Sequence, residues 1–225
     1  MASLPSPRDP LLDHRLQAVL SQRGKELFGM ALVGLGLILA LVLGSYAPQD
    51  PGWMAATDEP VRNALGRPGA ALAAPLAIIT GKAGWGLALA LIVWGMRFIL
   101  HIGEGAVLAR TIFVPIAVAL TTVWLATLVP GPGWAHDFGL GGMFGDTVLG
   151  ALLTALPISS TFGFNLLTLA AFAAMLAMWF YVLGSSWREV LAIAAFLIAG
   201  LILTYAATAA LAGRALRGGG RSLAL

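Results

Sequence analysis

The chain has no cysteine, which excludes a disulfide framework, a thiolate metal site and a cysteine nucleophile. Charge is almost as scarce. Only 10% of the 225 residues are Asp, Glu, Lys or Arg, where a soluble domain carries about 25%. With 59% hydrophobic residues and a mean hydropathy of +0.90, the composition is that of an integral membrane protein. The net charge of +3 and the pI near 9.8 do not indicate nucleic acid. The 13 basic residues sit at the ends of apolar runs, as in membrane proteins.

The sequence also lacks the chemistry of most enzymes. A phosphate loop needs G-x-x-x-x-G-K-[ST]. At Gly81-Lys82, Leu76 stands in the first glycine position and Ala83 follows the lysine. Gly139, Gly141 and Gly142 do not make G-x-G-x-x-G, because Phe144 holds the last position. No serine has an evident buried His and Asp partner. The apolar runs carry almost no ionisable group, which argues against a proton-coupled transporter. The chain is therefore read as neither an enzyme nor a cofactor carrier. Arg97, His101 and Glu104 cluster at one helix end. They read as a charge cluster at the membrane boundary, with a metal or proton relay as the sharper alternative. His136 with Asp137 reads as a solvated loop pair.

A helix crossing a bilayer needs about 20 apolar residues. Leu27–Tyr46 meets this, and Trp85–Leu100, Thr111–Val129 and Phe164–Leu183 do so too, some with a few flanking residues, which predicts an all-α, polytopic membrane bundle with four transmembrane helices. Gly69–Thr80 is too short and contains Pro75, so it reads as interfacial or re-entrant. Thr147–Leu156, stopped by Pro157, is a further short apolar helix. Val190–Gly213 is long enough to be a fifth span, but it reads rather as a segment that lies along the inner face or dips in and returns. The resulting organisation is a polar tail at 1–26 with Pro5, Pro7 and Pro10, a membrane domain at 27–183, an apolar segment at 184–213 and a Gly/Arg-rich linker start at 214–225.

Basic residues orient such a chain, because cytoplasmic loops hold the excess. Arg8, Arg15, Arg23 and Lys25 place the N-terminus inside. The connection Ala47–Gly84 is mixed and is placed outside. Arg97 and Arg110 return the next connection to the inside. Pro130–Gly163 has no Lys or Arg and lies outside. If Val190–Gly213 does not cross, Arg188, Arg214, Arg217 and Arg221 stay inside, making ten of the 13 basic residues cytoplasmic. Arg214, Arg217 and Arg221 would then meet anionic lipid rather than DNA.

Three segments carry a family resemblance. "SYAPQDPGW", Ser45–Trp53, is similar to the S-[YF]-x-P-x-D-P-x-W segment after the first span of FtsK-type DNA translocases. "NALGRPGAALA", Asn63–Ala73, resembles their N-x-x-G-x-x-G-A-x-x-A segment. "GLGGMFGDTVLGALL" resembles their G-G-x-x-G loop between the third and fourth spans. The motif positions are Tyr46, Asp50, Pro51, Trp53, Asn63, Gly66, Gly69, Gly139, Gly141, Gly142 and Gly145. Physically, the prolines stop the first helix, Tyr46 and Trp53 suit the membrane interface, and Asp50 caps a turn or meets a partner. Gly141 and Gly145 form a G-x-x-x-G that either allows close helix packing or merely permits turns. Gly34 and Gly36 are further packing candidates.

The resemblance implies a membrane domain of an inner-membrane, septal protein that links division to chromosome segregation. A hexameric ATPase motor that pumps DNA would lie outside this chain. It implies self-association, contacts with other division proteins and the lipid bilayer, and no direct DNA binding by this segment. A free-standing accessory subunit of another complex is the rival, and a transporter a weaker one.

Overall fold

The computed structural model describes residues 14–103, 107–134, 136–156 and 161–219. Pro5, Pro7, Pro10, Arg8, Glu104, Pro157 and Arg221 lie outside the described residues. The chain forms two compact units, Met1–Gly184 and Ser185–Leu225.

Among the described residues the structure is helical throughout, with no strand. In chain order the elements are α1 (His14–Gly44), α2 (Gly66–Thr80), a 3₁₀ turn (Gly81–Gly84), α3 (Trp85–Ile99), α4 (Val107–Thr111), α5 (Val114–Ala126), α6 (Gly142–Ala155), α7 (Thr161–Val182) and α8 (Trp187–Gly219). Among the described residues, five helical stretches are long and apolar enough to cross a membrane: Val19–Gly44, Gly66–Ile99, Ala109–Ala126, Thr161–Val182 and Trp187–Ala206. The first four overlap the four expected spans, each of which runs one to three residues past the end of its stretch. The fifth is the apolar C-terminal segment.

The stretch Gly66–Ile99 is not one straight rod. Gly81 has a φ of 56° and breaks the helix, and α3 alone runs antiparallel to α1. Both ends of α2 lie near the same end of α1. Asn63, just before α2, bonds the Val42 carbonyl. Beyond its far end, a methyl on Gly84 would sit 3.8 Å from Leu43. So α2 lies at that end of the bundle, as its length and Pro75 led us to expect.

The α1–α3 pair is held by missing side chains. A Cβ on Gly29 would lie 2.6 Å from the Gly95 oxygen, and one on Gly36 would lie 2.6 Å from Ile92 and 2.9 Å from the Ala88 oxygen. The backbones touch at seven-residue intervals on both helices, the spacing of a helix–helix seam. Of the two sequence candidates, only Gly36 is in this seam. Gly34 has nothing within 4 Å. Phe28 closes the seam edge-to-face on Phe98, with ring centroids 5.2 Å apart.

The core is small and built largely from alanine and valine. Ala90, Ala117 and Val182 are fully buried beside Trp94 and Phe98. The Trp94 indole N–H donates to the Val182 carbonyl at 3.0 Å, joining α3 to the end of α7. Trp179 on α7 donates to the Thr121 hydroxyl on α5 at 2.8 Å. Meanwhile Leu37, Leu41, Phe162 and Leu169 are exposed. Small residues inside and large apolar residues outside suit a bundle whose solvent is lipid.

Two sequence boundaries shift. Helix α1 begins at His14 rather than after residue 26, so the second half of the expected tail continues the first span. An Arg23–Glu26 ion pair of 2.6 Å lies on this extension. Helix α6 begins at Gly142, five residues before the expected Thr147. In the second unit, α8 is one continuous helix. Leu197, Ile198, Leu201, Ile202 and Leu203 are all exposed, and at about 100° per residue such positions cover every side. A segment that dips in and returns needs a break, and α8 has none. It either crosses or lies along a surface.

Candidate functional site

The family-motif positions gather at one end of the first unit, around the end of α1 and the starts of α2 and α6. Two clusters form there.

The first is a polar knot that closes the 47–65 connection. A helix end leaves its last carbonyls without partners, and here side chains from far along the chain supply them. The Asn63 amide donates to the Val42 carbonyl at 2.9 Å and to the Ser45 carbonyl at 3.4 Å. Its own oxygen accepts the Leu65 N–H at 3.1 Å. The Asp50 carboxylate accepts the Arg62 N–H at 2.8 Å and the Asn63 N–H at 2.9 Å. The Ser45 hydroxyl donates to Leu41 and accepts the Ala64 N–H at 3.0 Å. Asp50 and Asn63 are only 5% and 4% exposed. Buried polar groups are tolerated when satisfied in this way. Gly69 completes the knot, since any Cβ there would overlap the Asn63 side-chain oxygen. Pro51 is half-buried, and Gly66 takes a φ of 64° in open space. Trp53, by contrast, is 87% exposed.

Burial, and then the Asp50 carboxylate, push the Tyr46 phenol above its ordinary pKa of 10.0. The hydroxyl therefore keeps its proton and remains a donor.

The second cluster is the glycine loop, where both readings of the glycines apply at different positions. A Cβ on Gly141 or Gly145 would overlap the Thr122 carbonyl of α5, so these two pack helix against helix. Gly142 has a φ of 69°, and its Cβ position is 2.5 Å from the Gly81 nitrogen. Here glycine answers a left-handed turn. The Lys82 N–H donates to the Leu140 carbonyl at 2.9 Å, tying the loop to the 3₁₀ turn. The Gly139 N–H donates to Asp146 at 2.7 Å.

One loop reading is corrected. His136 is not a solvated partner of Asp137. Asp137 is exposed, but His136 is half-buried and packs against Trp134, Phe138 and Tyr46. An alternation of rings at 134, 136 and 138 was the signal available in the sequence.

At the opposite end, Arg97 and Arg110 converge on the end of α7. A Cβ on Gly184 would overlap the Arg110 guanidinium and lie 3.8 Å from that of Arg97. Arg110 also sits 5.6 Å from the Tyr181 ring. Cations near a helix C-terminus are favourable, and this supports the boundary-cluster reading. His101 is exposed with a φ of 55°.

Together these features define a polytopic helical membrane domain whose special residues close loops and bring backbones together. Sequence comparison specifies it further. Residues 21–195 match the family described as the 4TM region of DNA translocase FtsK/SpoIIIE, and the chain belongs to that family. It is 34% identical over 144 residues to the DNA translocase FtsK of Azospirillum brasilense, covering 63% of this chain and 23% of that protein. Over 119 residues it is 32% identical to the Caulobacter vibrioides DNA translocase FtsK, covering 51% of this chain and 14% of the relative. With the Bradyrhizobium diazoefficiens DNA translocase FtsK it shares 30% identity over 191 residues, or 80% of this chain and 22% of the relative. The chain thus spans less than a quarter of these curated relatives. No solved structure matches.

Proposed function

We propose that this chain is the inner-membrane anchor and septal-targeting part of a DNA translocase. It acts by protein–protein contact, and an ATP-driven motor is supplied from outside these 225 residues. The family match over residues 21–195 carries the reading. The small share of each relative that the chain covers supports a motor located elsewhere in such proteins.

The partners are other division proteins and further copies of the chain, and DNA is left to the motor. The N-terminus faces the cytoplasm, on the basic residues Arg8, Arg15, Arg23 and Lys25. The polar knot and glycine loop then lie outside. There Trp53 and Val129, 87% and 91% exposed, present apolar surface to a partner or the headgroup layer. The arginines after residue 213 stay in the cytoplasm, with α8 along the inner face.

The test is a green fluorescent protein fused after Leu225 and imaged in dividing cells. A bright midcell band is expected. Bright fluorescence around the whole envelope would keep the topology, remove the septal role and favour an accessory subunit of another complex. A stable but dark fusion would mean that α8 crosses, which overturns the cytoplasmic placement of the C-terminus.

A further inference from the structure

A cavity of about 200 Å³ lies beside Trp134, His136 and Phe138, with room for several waters at about 30 Å³ each. Leu43 and Trp85, at the ends of membrane helices, form its apolar side, and Tyr46, Trp134, His136 and Phe138 form an aromatic wall. The wall is held in place by its own contacts. His136 stacks on Phe138 with centroids 5.0 Å apart and on Tyr46 at 6.0 Å, and meets Trp134 at 4.6 Å. The Trp134 indole N–H donates to the Phe138 carbonyl at 2.6 Å.

Lys82 lines the same cavity, with its Nζ 5.3 Å from the centre of the Trp134 ring. Among the described residues no carboxylate pairs with it. Aromatic cages otherwise suit quaternary ammonium groups. Here a cation already occupies the Trp134 face, so a second one is repelled. The nearby Asp50 has both carboxylate oxygens engaged by backbone N–H groups. The protonated Tyr46 hydroxyl adds a donor. The cavity therefore offers one unpaired positive charge, one hydroxyl donor and an apolar side at the membrane boundary.

We propose that this cavity binds the phosphodiester headgroup of an anionic phospholipid, with Lys82 as its counter-ion and the glycerol end against Leu43 and Trp85. Free phosphate shares the charge but has nothing to place on the apolar side. The proposal does not depend on the septal reading.

The test uses the full chain in a mild neutral detergent. Its thermal midpoint is measured with dioctanoyl phosphatidylglycerol, dioctanoyl phosphatidylcholine or inorganic phosphate. A saturable rise with phosphatidylglycerol alone is expected. The apparent affinity should fall at least tenfold in Lys82→Gln, which alters an exposed side chain, and should be retained in Lys82→Arg. Equal effects of the two lipids, or an undiminished effect in Lys82→Gln, would overturn the site. An equal effect of inorganic phosphate would overturn the lipid assignment. If Lys82→Gln does not fold, the lipid comparison on the unaltered chain decides alone.

Discussion

Replacing Gly95 by alanine puts a methyl 2.5 Å from the Gly29 oxygen, 2.6 Å from Val33 Cγ2 and 2.7 Å from the Val33 nitrogen. Relaxed carbon contacts lie at about 3.5–4.0 Å. Two of the three neighbours are backbone and cannot rotate away, so α1 and α3 must move apart by about 1 Å. Overpacking of this kind costs about 1–3 kcal/mol, and the backbone contact puts Gly95 toward the upper figure. Alanine returns about 0.5–1 kcal/mol through helix propensity. A net loss of about 1–2 kcal/mol remains. Gly34→Ala is the control. It carries the same propensity gain with nothing within 4 Å, so it should be stabilised by about 0.5–1 kcal/mol. The pair is read by thermal unfolding in detergent, followed by circular dichroism. At about 2–4 °C per kcal/mol for a chain of this size, the midpoints should separate by several degrees. Equal midpoints, or a more stable Gly95→Ala, would refute the close-packed seam.

Other outcomes follow from the end of the first unit that carries the polar knot and the glycine loop. Asp50→Ala strands the buried Asn63 N–H, at about 1–3 kcal/mol, and leaves the part-buried Arg62 N–H to find water. Limited proteolysis should then cut within residues 47–65, where the unaltered chain resists. Gly145→Ala should lower the unfolding midpoint through the Thr122 carbonyl, while Gly150→Ala, with nothing within 4 Å, should not. The Tyr46 phenol is raised above 10.0 by burial and then by Asp50. Below that value it is protonated in both states. Above it the unfolded chain ionises first, so the Tyr46 contribution to stability is lost as pH rises through the folded value. Ultraviolet titration of the folded chain should show the Tyr46 phenol ionising above its ordinary value, and earlier in Asp50→Asn.

Hydropathy alone located α3 and α7 to within a few residues, because lipid demands length and apolarity before anything else. The same signal could not find the start of α1. His14–Lys25 is polar yet helical, and hydropathy does not report a helix that leaves the membrane. Nor could it choose Gly36 over Gly34, since that depends on which face meets α3. The spacing shared by Gly29 with Gly36 and Ala88 with Gly95 was a readable clue, and it was missed. Asp50 and Asn63 were singled out as motif positions, but their hydrogen bonds to each other's neighbourhood span 12–21 residues. Local patterns do not encode such pairings. Lys82 drew interest only as a failed phosphate-loop lysine, and its place beside Trp134 depends on a fold that returns α2 to the end of α1.

The knot at Asn63 also decides how α1 meets membranes of different thickness. Helix α1 has 31 residues, about 46 Å at 1.5 Å per residue, against a hydrocarbon layer of about 30 Å. One end is tied by side chains to Val42 and Ser45, and it cannot slide without breaking buried hydrogen bonds. A thicker or thinner bilayer is therefore accommodated at the other end. The turns from His14 to Lys25 sink toward the headgroups or rise from them, while the loops at the knot keep their height.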